Sequence, residues 1–147
     1  MAKSAVQTIR VSKTINAPMK YVFNWCTDFR EDDPQITGSK NRRVILEKTK
    51  KRAVYASIYT GNDGNQKIGV NYVTLEPPKS WHLEFFGEED IEVGDYKLVP
   101  AGKNKTKLNM VFKERWKIKE PTIEEQVNDT NRVWDKYVEA LEREYKS

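Results

Sequence analysis

Residues 8–15, TIRVSKTI, alternate strictly between two faces: Ile9, Val11 and Ile15 lie on one with Lys13, and Thr8, Arg10, Ser12 and Thr14 on the other. That period of two predicts a half-buried strand. The pattern then changes to a helical one. Val22, Phe23, Cys26 and Phe29 recur at helical spacing behind Pro18, which suits a first turn because its missing N–H is not needed there. Asn16 or Ala17 is the expected cap. Asp28 followed by Glu31 has capping-box spacing and predicts a short second helix from that point, with Pro34 interrupting or ending it.

From Gly38 the period returns to two. Strands are expected over Arg42 to Lys50, Arg52 to Thr60, Lys67 to Glu76, Trp81 to Phe86, Glu92 to Val99 and Thr106 to Lys119. Asn62-Asp63-Gly64-Asn65 makes a hairpin turn, since Asn, Asp and Gly tolerate positive φ. Pro77-Pro78 ends one strand, and the loop from Pro100 to Lys105 joins the last two. In the last strand Leu108, Met110, Phe112, Trp116 and Ile118 share a face. Pro121 stops it. Thr122 with Glu125 then opens a helix running to about Tyr145, with an apolar stripe through Val127, Trp134, Tyr137, Val138 and Leu141. The order βααββββββα describes an α+β fold with an antiparallel sheet wrapped around the terminal helix, and not a parallel α/β fold.

At 147 residues the chain has the length of one domain, and a single ligand-binding domain over 1–147 is expected. Four Trp, seven Tyr and five Phe are too many for a disordered chain. No apolar run approaches the length of a membrane span, and MAKSAVQTIR lacks the apolar core of a signal peptide. One cysteine, Cys26, forms no internal disulfide, so a cytoplasmic setting is expected. The net charge of +4 is a small excess spread over many charged side chains. The basic stretches Lys40 to Arg43 and Lys48 to Arg52 read as solvated turns and edge protection, and nucleic acid is not the expected partner.

The residues Ile15, Ala17, Pro18, Val22, Phe23 and Asp28 resemble the opening I-x-A-P-x-x-x-V-[FW]…D of the Bet v 1-like superfamily, which includes START lipid-transfer domains and polyketide cyclases (SRPBCC). The stretch from Gly102 through Thr106 to Leu108 and the long last helix resemble its ending. The resemblance covers nearly the whole chain. It implies a helix-grip fold: a seven-stranded antiparallel sheet around the C-terminal helix, two short helices after the first strand, and a ligand cavity between sheet and helix. It does not imply a shared catalytic residue, because the superfamily includes binders, carriers and enzymes.

No catalytic or metal motif stands out. His82 and Cys26 alone do not make a metal site, and neither a metal nor a cofactor is expected. His82 is opposite Trp81, Leu83 and Phe85 in parity, so it is a surface residue if the Trp81 face is inward. Asp28 reads as a helix cap and Cys26 as an inert core thiol. The turn at 61–65 lacks the Gly-Lys-Ser/Thr of a phosphate loop. Tyr72, Phe85, Phe112, Trp116, Trp134 and Tyr137 are candidates to line the cavity, with solid core packing as the alternative for each. Tyr55, Tyr59 and Tyr96 also carry hydroxyls whose direction alternation leaves open. Glu114, in phase with Phe112 and Trp116, is the candidate polar anchor, since an inward carboxylate is costly unless paired or solvated.

The expected function is non-covalent binding or carriage of an apolar or amphipathic small molecule, lipid-like or polycyclic. The alternatives are an enzyme resembling the aromatase/cyclases that acts in the same cavity, and a protein-interaction module resembling the Hsp90 activators.

Overall fold

The computed structural model describes residues 5–147; the charged start at residues 1–4 lies outside them. β1 (Gln7–Ile15) leads into α1 (Met19–Cys26) and α2 (Asp33–Ile36). Six strands follow: β2 (Arg42–Lys48), β3 (Arg52–Thr60), β4 (Gln66–Glu76), β5 (Ser80–Phe86), β6 (Asp90–Gly102) and β7 (Lys105–Trp116). α3 (Ile123–Lys146) closes the chain. Every pairing is antiparallel, in the order β1-β7-β6-β5-β4-β3-β2. Only β1 is out of sequence order, so α1 and α2 carry the chain from one edge of the sheet to the other. This is the expected helix-grip architecture.

The core lies between the concave face of the sheet and the helices. Leu108, Met110 and Phe112 of β7 are buried there with Val22 and Phe23 of α1 and Leu141 of α3. Thr106 Oγ1 donates to the Ala17 carbonyl at 2.8 Å, and both residues are fully buried. That bond satisfies a polar group at the β1–α1 junction and seats the helix against β7. α3 begins with the expected capping box between Thr122 and Glu125. Among the described residues no helix is long and apolar enough to cross a membrane.

Four local expectations are corrected. α1 has Pro18 itself at the N-cap, with no side-chain cap from Asn16 or Ala17. No helix begins at Asp28, because Phe29 takes φ 47° and that left-handed turn breaks the path before Glu31. The second helix starts at Asp33, with Pro34 inside its first turn, where the ring is tolerated. The 100–105 loop is a tight turn at Lys103-Asn104: Asn104 has φ 53°, Gly102 has φ 140°, and β6 continues to Gly102. β7 ends at Trp116, which leaves Ile118 outside it and exposed.

Candidate functional site

Aromatic residues on three elements leave a cavity of about 160 Å³ between sheet and helices. Tyr55, Trp81 and Tyr96 rise from the sheet, Trp25 and Phe29 come from α1 and the turn after it, and Trp134 and Tyr137 descend from α3. Strand parity explains the first group, since Tyr55, Trp81 and Tyr96 occupy buried positions of their alternating strands. The rings hold one another. Trp81 stacks on Tyr96 at 4.9 Å between centroids, Tyr96 lies 6.0 Å from Trp134, and Trp134 meets Tyr137 edge-on at 5.3 Å. Such contacts fix ring orientation as well as burying area.

One side of the cavity is polar. Arg43 Nη1 donates to Asp33 Oδ2 at 2.7 Å, and the guanidinium lies 4.4 Å from the centre of the Tyr55 ring. Cys26 also lines this space, and burial pushes its thiol up, away from the reactive thiolate. Asp28 is not a helix cap. It pairs with Arg30 at 3.2 Å, and its Oδ1 is buried with no hydrogen-bond partner among the described residues. Burial, with the nearby Asp33 charge, raises its carboxyl to about 6.

A second cavity, of about 240 Å³, lies beyond Tyr96 and Trp134, which form part of both walls. Its other lining includes Phe112, Glu92 and Glu114 from the sheet and Thr130 and Val133 from α3. Register explains the carboxylates: Glu92 is directly opposite Glu114, and Asp90 is opposite Trp116 one step along. Asp90, Glu92 and Glu114 bring oxygens within 4.8 Å of one another, and among the described residues they are the only group of three that could hold a metal ion. Three carboxylates this close cannot all ionise. Burial raises the Glu114 carboxyl far above its ordinary value, helped by its hydrogen bond to Asp90 and the Glu92 charge. Burial and the Asp90 charge raise Glu92 less, because a hydrogen bond from Glu114 opposes them. The Glu92–Glu114 pair therefore favours sharing a proton, and Glu114 is the member pushed up more strongly.

Trp134 and Tyr137 of the expected site line the first cavity, and Phe112 and Glu114 the second. Trp116 lies in phase with them at the end of β7, beside the carboxylates rather than on either cavity. Phe85 is inward but covers Gly69: a Cβ there would lie 2.3 Å from its ring, so β4 needs glycine where Phe85 packs. Tyr72 is a correction. It occupies an exposed position of β4, on the convex face, and its hydroxyl accepts from Arg52 at 3.0 Å.

His82 is on that outer face too, between Asp95 at 2.6 Å and Glu84 at 3.3 Å; its bond to Asp95, and secondarily that to Glu84, raises its pKa. A depression of about 500 Å³ beside it is partly lined by Thr74, Asp95 and Val111. Sequence reasoning did not include Trp25, Trp81, Arg43 and Asp33 in the site, nor Asp90 and Glu92. The Lys103-Asn104 turn by itself would pair Glu92 with Arg115; the bulge between Pro100 and Gly102 shifts the register by one residue and places Glu92 opposite Glu114.

No protein-family model matches this sequence, and no curated protein matches it. Solved structures do match. A START superfamily protein from Mycobacterium smegmatis superposes with a TM-score of 0.75 at 14% identity, over 92% of this chain and 97% of that one. The Zhui aromatase/cyclase from Streptomyces sp. R1128 gives 0.72 at 13% identity, over 97% and 94%. Ara h 8.0201 gives 0.68 at 16%, over 94% and 96%. Identity this low speaks for architecture alone, and the architecture is plain: this chain has the Bet v 1-like, START-type helix-grip fold.

Proposed function

We propose that residues 1–147 form one ligand-binding domain whose task is to bind, and carry, an apolar or amphipathic small molecule. The observation that supports this reading is the aromatic-walled cavity. At about 160 Å³ it is close to the roughly 150 Å³ of an engineered apolar cavity that admits benzene. One ring of a ligand fits there. A longer ligand would continue past Tyr96 and Trp134 toward the Glu92 and Glu114 cavity. Removing apolar surface from water contributes roughly 25 cal/mol per Å², so binding needs no reactive group.

Native mass spectrometry of protein purified without detergent tests this directly, with a co-purifying small molecule as the expected result. An environment-sensitive apolar dye should bind, and Trp134→Ala should change its affinity while Tyr72→Ala does not. A protein that carries nothing and whose dye affinity ignores Trp134 would refute the reading.

The proton shared by the Glu92–Glu114 pair favours a second reading, an enzyme of the cyclase type. A neutral carboxylic acid in a cavity wall is a general acid available at neutral pH. In that case Glu114→Gln should abolish turnover of a hydrophobic substrate and His82→Ala should preserve it.

A further inference from the structure

The convex face of an antiparallel sheet ordinarily meets water with polar side chains. β1 and β7 do so here, presenting Thr8, Arg10, Ser12, Lys107, Lys113 and Arg115. β2 to β6 do not. Val44, Ala56, Val70, Phe86 and Ile91 are successive cross-strand partners, forming one apolar row over five strands. Val54 and Tyr72 extend the patch on one side, where Glu84 separates Tyr72 from Val93, and Ile58 and Ile68 extend it on the other. Ile68 is 56% exposed and Phe86 51%, and Leu46, at the β2 bulge by Val54, is 61% exposed. A contiguous patch of this kind marks an interaction surface, whereas scattered single residues would need no explanation.

We infer that this face docks a second copy of this chain, sheet on sheet, about a two-fold axis running along β4. Three features of the patch select that occupant. The first is shape. With β4 over β4, β3 lies over β5 and β2 over β6 of the second copy. Val70 then meets itself, the small Ala56 meets the large Phe86, and Val44 meets Ile91, as a self-complementary interface requires.

The second feature is charge. Arg52 on β3 is brought over the second copy's acidic group around His82, where Glu84 and Asp95 lie. The third is size. Five strands about 4.8 Å apart, each contributing some 20 Å of length, give a flat footprint of roughly 500 Å². Side-chain relief brings the accessible area toward the ~800 Å² per partner of a stable dimer. Aligned sheets pack in this way across about 10 Å. The concave cavity is on the opposite side, so docking leaves it free.

Sedimentation velocity of the full chain over a wide concentration range tests the inference, with a concentration-dependent dimer as the expected result. Val70→Lys and, separately, Phe86→Glu should each weaken it by at least ~100-fold, since a charge is then buried at the centre of the interface. Both positions are solvent-facing, and unchanged circular dichroism and melting temperature would exclude misfolding.

Position is read by cross-linking. In the dimer, Val70→Cys should be joined to its own copy by a short bis-maleimide, and Glu139→Cys on α3 should not. A wild-type protein that stays monomeric at hundreds of micromolar would overturn the inference. So would a dimer indifferent to both charged variants, or one in which Val70→Cys fails to cross-link. A monomer that instead sediments with phosphatidylserine vesicles, and loses them on Phe86→Glu, would assign the face to a membrane and overturn it equally.

Discussion

Val73 and Tyr72 are neighbours on β4, yet one is fully buried and the other exposed. The concave face collects Val73, Leu83, Trp81 and Tyr96 with the buried carboxylates. The convex face collects Val70, Tyr72, Phe86 and Ile91 in the open. Both faces are rich in large apolar residues, so composition alone does not tell them apart. What separates them is cover: α1 and α3 close one face, and among the described residues nothing closes the other. An apolar side chain contributes to stability only where something excludes water from it.

The largest test of that contrast substitutes the same residue type on both faces. Ile15→Ala, at a fully buried site, should cost about 2–5 kcal/mol in chemical denaturation, while Ile68→Ala on the convex face should cost no more than about 0.5 kcal/mol. Comparable losses would mean that the outer face is covered even in the monomer.

A second test concerns the inner carboxylates. Glu114 has its folded-state pKa raised, so between its ordinary value of 4.5 and its raised one the folded state binds the extra proton. Stability held below pH 4.5 is then lost progressively as pH rises through neutrality. Glu114→Gln should keep the donor without the ionisation, raising stability by on the order of 2 kcal/mol at pH 8 and by much less at pH 4. Melting temperatures against pH measure this, and parallel curves for the two proteins would refute the assignment of the proton.

The positions of Glu114 and Tyr72 in one sequence pattern show how far that pattern reaches. Alternation identified both strands and set Glu114 in phase with Phe112. The long β7 run, bounded by Thr106 and Pro121, left its parity clear. β4 was identified equally well as a strand, but Val70, Tyr72 and Thr74 alternate with Asn71, Val73 and Leu75, and both sets contain apolar residues. The face that is buried depended on the helices above it.

A smaller effect is expected at the cavity. Trp134→Ala should weaken binding of an apolar dye about 10-fold, which is ~1.4 kcal/mol, and Tyr72→Ala should leave it unchanged. Equal effects would place the dye on the convex face.

The smallest expected effect is at His82. Its pKa is raised by Asp95 and then Glu84, so the stability it contributes is complete below its ordinary 6.5 and is lost as pH rises through the raised value. The group is largely exposed and screened, so His82→Ala should cost no more than about 0.5 kcal/mol at pH 5.5 and less at pH 8. A loss of several kcal/mol would show that the outer acidic group is a structural centre.

The sequence by itself determined the order of elements, the antiparallel character of the sheet and the capped terminal helix. Those follow from local periods of two and 3.6, from Pro and Gly, and from the Thr122–Glu125 box. It also determined that β7 turns Leu108, Met110, Phe112 and Glu114 to one side. Tertiary structure alone decided that Glu92 meets Glu114, that Arg43 and Asp33 join the aromatic wall, and that Tyr72 faces out. Each of those depends on register or on which side of the sheet the helices lie. Residues far apart in the chain set both, because a one-residue slip in pairing or a left-handed turn such as Phe29 redirects every side chain beyond it without altering the local pattern.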